Sequence, residues 1–270
     1  MNILVPDTKE IISKIVQSDI KSDFDGREQK IVEWVKEQRI RIDENKNIVK
    51  EKTELNDIKI LNIVLPCLLA KNISGEAVNK ISKRLNEKVK TKANLIEENY
   101  LYILQGYKWK SGIQVINDFV EWLNKNNWGW KRYFELAENN YKDNFQQDEL
   151  LKIKNIGFKL RDLALSEFNK NYIAFDLHVA RVMTRIGLLN YGFDLLGDEN
   201  LEMGNNASDK KHYLFLHRLA LKLSELLDNK YSLSDLDRVF WHFGRIICSS
   251  SPKCSSCQIK DICLTGKNIK

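Results

Sequence analysis

The sequence is poor in residues that break a chain. Three prolines and twelve glycines are spread over 270 positions, too few for a fold built on many tight turns. It also lacks a long apolar run. The longest, from Ile58 to Ala70, is interrupted by Lys59 and Asn62. It is too short to cross a bilayer and reads as a buried helix, so no membrane partner is expected. The start, MNILVPDTKEIISKI, has an early acid and no apolar core of the kind a secretory signal needs. The expectation is an intracellular protein, cytoplasmic or nucleoid-associated. Cysteine is scarce as well, at five in the chain. Without a secretion signal, and with enough chain for a large core, a disulfide framework is not expected.

What is present is helical spacing of apolar residues almost everywhere, with little strand-like alternation. Amphipathic helices are read at 25–42, 77–89, 113–125, 178–189, 212–227 and 233–248. Ser232 is placed to cap the last of these, with Asp235 at the third helical position. The fold class is all-α, with roughly ten helices of ordinary length. Two breaks stand out, KNNWGWK at 125–131 and a glycine-bearing insertion at 191–211. The net charge of +6 favours an anionic partner and keeps nucleic acid in play.

Four of the five cysteines fall in CSSSPKCSSCQIKDIC, residues 248–263, as Cys248-x5-Cys254-x2-Cys257-x5-Cys263. Four thiolates that close call for a soft metal. Structural zinc is usually held by two C-x-x-C knuckles, and there is one here. Outer cysteines set five residues away suit a larger iron–sulfur cluster reached from all around, with zinc the alternative. The fifth, Cys67, lies in NIVLPCLLA and reads as a small buried hydrophobe.

Upstream, LLKIKNIGFKLRDLAL (150–165) reads as helix, tight turn, helix. Asn155 and Gly157 tolerate the backbone angles of such a turn, and the second helix opens with N–H groups suited to phosphate. A plain interhelical turn fits the same residues. Asp176, in NYIAFDLHVARV, is by itself an N-cap as readily as an active acid, and His178 a core or capping histidine.

Taken in order, the hairpin with Lys159, then Asp176 before HVARV, then HFGRIIC leading into the cysteine loop, resemble the helix-hairpin-helix DNA glycosylase superfamily. Within it they are similar to the endonuclease III-like branch, which carries a [4Fe-4S] cluster. The likeness runs from about Ile60 to Cys263. The family hairpin, Leu-Pro-Gly-Val-Gly-x-Lys, stands here as Ile153 to Lys159. Its Val-Asp-Thr-His motif stands as Phe175-Asp176-Leu177-His178, and its Gly-Arg as Gly244-Arg245. Asn155 replaces a glycine, Lys154 the proline and Leu177 the threonine. The first cysteine gap is five rather than six, and Lys71 in LLAKNIS stands where the family has a gap-filling glutamine.

The resemblance implies two helical domains with a DNA-binding cleft between them. Residues 1–60 would pack with the cluster domain, 61–175 would form a six-helix domain holding the hairpin at about 150–165, and 176–270 the cluster domain. It implies a monomer acting on double-stranded DNA with a damaged or mismatched base. Lys159 would be the nucleophile and Asp176 the acid, facing each other across the cleft. Lys71, Lys154, Asn155, Ile156, Gly157, Lys253 and Lys260 would contact DNA, and Cys248, Cys254, Cys257 and Cys263 would hold the [4Fe-4S] cluster. The activity implied is that of a bifunctional glycosylase and apurinic/apyrimidinic lyase. The alternatives are a monofunctional glycosylase and a non-catalytic DNA-binding iron–sulfur protein.

Overall fold

A computed structural model describes residues 8–24, 26–71, 73–108, 110–140, 144, 147–188 and 210–268. The chain is mostly helical, with twelve α-helices among the described residues. It divides into two compact units. One comprises residues 1–40 and 170–270, the other 41–169.

The first unit opens with α1 (Thr8–Gln17) and a two-stranded antiparallel hairpin, β1 (Lys21–Phe24) and β2 (Arg27–Lys30). The sequence led us to expect helix from residue 25. The helix instead begins at Ile31, as α2 (Ile31–Lys50). The reason is local. Residues 27–30 are all polar and carry no helical apolar stripe, and Gly26 has φ +68°, which reverses the chain. The Glu33 carboxylate then accepts from the Lys30 N–H at 3.0 Å and marks the true helix start.

The same unit contains α9 (Leu177–Arg185), α10 (Lys210–Leu226), α11 (Leu233–Ile246) and the short α12 (Leu264–Lys267). Ser232 and Asp235 close a capping box at the start of α11, as the sequence indicated. Ile11, Ile12 and Ile15 of α1, Leu216, Ala220 and Leu223 of α10, and Leu236, Val239, Phe240 and Phe243 of α11 repeat at helical intervals. They bury one core with Val179, Val182 and Met183 of α9. The 191–211 insertion falls outside the described residues up to position 209.

The second unit holds α3 (Glu54–Leu68), α4 (Gly75–Lys88), α5 (Glu97–Ile103), α6 (Gly112–Lys125), α7 (Trp130–Asn139) and α8 (Phe158–Ser166). Thr53 and Ser74 cap α3 and α4 through their side chains. The apolar run at 58–70 is the buried helix α3, packed on α4 and α8. The Cys67 thiol lies within it and donates to the Ile63 carbonyl at 3.3 Å. Phe119, Trp122, Trp130 and Tyr133 stack and tilt against one another where α6 meets α7.

Candidate active site and metal centre

In the second unit, the arm before the 153–159 turn is shorter than expected. It is a 3-10 turn, Glu149–Lys152, capped by the Asp148 carboxylate, which accepts from the Leu150 N–H at 2.9 Å. Asn155 then takes φ +72°, the left-handed conformation that asparagine tolerates better than most residues. The chain turns there and α8 starts behind Gly157 with no side-chain cap. A Cβ at Gly157 would meet nothing within 4 Å. The protein's own packing does not demand a glycine, and the space beside the open helix terminus is clear for a ligand to approach.

Lys154, Asn155 and Gly157 are exposed. Ile156 departs from its expected role as a phosphate donor. Its N–H is engaged by the Ile153 carbonyl at 3.1 Å and its side chain is buried, because the turn must close on itself before the helix can begin. The first turn of α8 begins directly after it, behind Gly157.

Lys159 sits on that first turn, half-buried, and its amine donates to the Ala70 carbonyl at 3.3 Å. Ala70 precedes Lys71, so the turn after α3 meets the start of α8. The Tyr107 hydroxyl donates to the neighbouring Leu69 carbonyl, and burial pushes its pKa above the usual phenol range. Tyr107 is a residue sequence reasoning did not single out. Only its place in QGYKWKSG, a polar loop with two aromatic residues, hinted at it.

In the first unit, Asp176 is the N-cap of α9. Its Oδ1 accepts from the N–H groups of His178 (2.8 Å) and Val179 (3.0 Å). The carboxylate is half-exposed, and Oδ2 has no hydrogen-bond partner among the described residues. One oxygen thus fixes the side chain and the other is left open. Burial lowers the pKa of His178 beyond what the nearby Asp176 charge restores.

The four clustered cysteines are free thiols lining one cavity, walled otherwise by Ile186, Phe243, Ile247 and Ile259 among others. Cys248 and Cys263 are buried, Cys254 and Cys257 half-buried. Burial pushes the thiols of Cys248 and Cys257 above their ordinary pKa; the Arg185 guanidinium opposes this at Cys248. Buried thiols in an apolar shell ionise when a metal takes the charge, which is what this donor set suits. Among the described residues no group of three or more His, Cys, Asp or Glu is placed to hold a metal ion. The four thiols lining this cavity are the residues that could hold a soft metal centre.

Arg185, in the last turn of α9, carries a charge that suits a helix C-terminus. Its Nη1 donates to the Cys248 carbonyl (3.1 Å) and lies 3.6 Å from the Cys248 sulfur. Its own carbonyl accepts from Thr265 Oγ1 at 2.9 Å. Lys253 is exposed on this loop. Lys260 is half-buried and lines the cysteine cavity.

No family model and no curated protein matches the chain. Among solved structures it is similar to a trapped endonuclease III–DNA covalent intermediate in an estranged-adenine complex. The identity is 22% over 87% of this chain and 97% of that chain, with a TM-score of 0.49. It is also similar to a non-covalent endonuclease III–DNA complex, at 22% identity over 87% of this chain and 97% of that one, with a TM-score of 0.46.

Proposed function

We propose that the protein is a DNA repair glycosylase that also nicks the strand it has cleared, with Lys159 as nucleophile and Asp176 as the acid that supports it. The observation that carries this reading is the turn at 153–159. It combines a left-handed Asn155, an uncapped helix start with free space at Gly157, and Lys159 two residues into that start. A helix terminus presents N–H groups and partial positive charge to a phosphate. An amine one turn away from that phosphate is within reach of the neighbouring sugar.

The chemistry needs the base out of the duplex, which costs a few kcal/mol and least for a damaged or mismatched pair. The Lys159 amine, in its uncharged form, attacks C1′ of the deoxyribose. The C1′–N bond breaks, and its electron pair leaves with the base, which takes up a proton. Asp176 Oδ2 stabilises the positive charge growing on the sugar and accepts the proton the attacking amine gives up. The sugar ring opens to a Schiff base between Lys159 and C1′. A proton then leaves C2′, and the 3′ phosphate departs by β-elimination. Loss of the C2′ proton and of the phosphate balance, and water later hydrolyses the Schiff base to free the amine.

Cys248, Cys254, Cys257 and Cys263 are the residues we assign to a [4Fe-4S] cluster. Bound there, the cluster would supply cohesion to a loop with little core of its own. Lys71, Lys154, Asn155, Gly157, Lys253 and Lys260 are assigned to the DNA backbone and to the gap left by the extruded base.

The test is a panel of duplexes, each with one oxidised pyrimidine, oxidised purine or mismatch, scored for free base and for nicked strand. The reading expects at least one duplex to lose its base, and the Asp176→Asn protein to release it at least about 100-fold more slowly. Binding across the whole panel without any base release would leave a DNA-binding module and no enzyme.

A further inference from the structure

Helix α11 carries a glycine, Gly244, where α9 comes very close. A Cβ built on Gly244 would lie 2.9 Å from the His178 carbonyl oxygen, 3.1 Å from the His178 Cβ and 3.1 Å from Val182 Cγ2. The first two are backbone or Cβ atoms, so no rotamer change relieves them. A side chain at 244 therefore has to push the start of α9 away. Around this point both helices are buried: Val179 and Val182 of α9, and Phe240 and Phe243 of α11, are each at or below 1% exposed. The two helices are close-packed at this crossing, so a push at position 244 is passed to the start of α9.

That turn is where Asp176 is held. Its Oδ1 is fixed by the N–H groups of His178 and Val179, the residue facing Gly244 and the one after it. Moving the His178 backbone moves both donors that orient the carboxylate.

We infer that Gly244 is a positioning residue for Asp176: its missing side chain sets how deeply α9 seats on α11, and so where the free Oδ2 stands. Gly244 touches no substrate on this account and acts only through the α9 turn. The inference rests on the reading of Asp176 as the acid that reacts. A displacement of a few tenths of an ångström to 1 Å in a reacting group costs up to about 100-fold in rate.

A double-mutant cycle on the full-length protein tests it. Single-turnover base release is measured for wild type, Gly244→Ala, Asp176→Asn and the double variant, with lesion-DNA affinity measured for all four. The expected result is a loss of about 100-fold from Gly244→Ala when Asp176 is present. In the Asp176→Asn background the same change should cost less than about threefold, with affinity held within about threefold throughout. An equal loss in both backgrounds would make Gly244 a general packing residue and overturn the inference; so would no loss beside Asp176. If Asp176→Asn alone releases base at the wild-type rate, it is the assignment of Asp176 that fails. Should Gly244→Ala not fold, Val182→Ala removes the Cγ2 that lies against Gly244 and changes how α9 seats on α11. It is then read in the same two backgrounds, with about a tenfold loss expected only where Asp176 is present.

Discussion

Arg161 and Asp148 are both fully buried, with guanidinium and carboxylate 3.1 Å apart. Asp148 caps the arm before the 153–159 turn and Arg161 sits in the helix after it, so the pair straps the two arms together. The Tyr133 hydroxyl donates to Asp148 at 3.1 Å, and Arg161 also pairs with Asp162 at 2.7 Å. Burial pushes the Asp148 carboxyl up, and Arg161 pulls it back.

Removing one partner from such a network strands the other charge in the core. Arg161→Met is expected to cost about 3–5 kcal/mol in urea unfolding and to weaken lesion-DNA binding, because the turn loses its strap. A loss under about 1 kcal/mol would mean that the pair contributes nothing to the hairpin.

The turn itself gives a second expectation. Asn155→Gly keeps the left-handed angle available and should leave stability and DNA affinity near wild type. Asn155→Val forces a β-branched residue into that angle and should cost about 1–2 kcal/mol. Lys154→Ala leaves the turn intact but removes a proposed phosphate partner. If about five phosphates are neutralised, log K falls with log salt at a slope of about −4 to −5, and Lys154→Ala should flatten it by about 1. An unchanged slope would remove Lys154 from the interface.

Much of this was legible in the sequence, and the reasons differ from place to place. The helices at 77–89, 113–125 and 233–248 announced themselves through their apolar spacing, and at 233–248 the Ser232 cap agrees with it. The β1–β2 hairpin did not, because four polar residues before Ile31 look the same in a helix and in an exposed strand. The turn at Asn155 was readable from one residue's tolerance of positive φ. The Asp148–Arg161 strap and the reach of Arg185 to the cysteine loop were not. A charged side chain on an amphipathic helix is normally solvated, and only tertiary packing reveals which one is buried. Gly244 was visible as part of a motif, but its steric reason belongs to a neighbour 66 positions away.

His242 supplies a pH dependence of folding. It is fully buried, bonded through Nδ1 to the Ser22 hydroxyl at 2.5 Å and stacked on Trp34. Burial, aided by the charges of Arg238 and Arg245, pushes its pKa down to about 2. The unfolded chain binds this proton below about pH 6.5 and the folded chain does not. The contribution of His242 to stability is therefore complete above pH 6.5. It is lost as pH falls towards 2, at roughly 1 kcal/mol per pH unit. Chemical denaturation between pH 7 and 4 should show wild type losing stability against His242→Phe by that amount. Parallel curves for the two proteins would contradict a neutral buried imidazole.

The cysteine ring predicts its occupant. Protein purified without oxygen should be brown and contain about four irons and four sulfides per chain. Cys257→Ser should lose colour and unfold at lower urea than wild type. A colourless protein with one zinc per chain would replace the cluster with the alternative metal.

Lys159 as nucleophile requires a covalent bond between its amine and the sugar. Borohydride added during turnover on a lesion duplex should reduce the Schiff base and weld wild-type protein to DNA, giving a species that survives denaturing electrophoresis. Lys159→Ala should bind the same duplex and give no such adduct. An adduct of undiminished yield from Lys159→Ala, or nicking at the wild-type rate, would show that another group is the nucleophile.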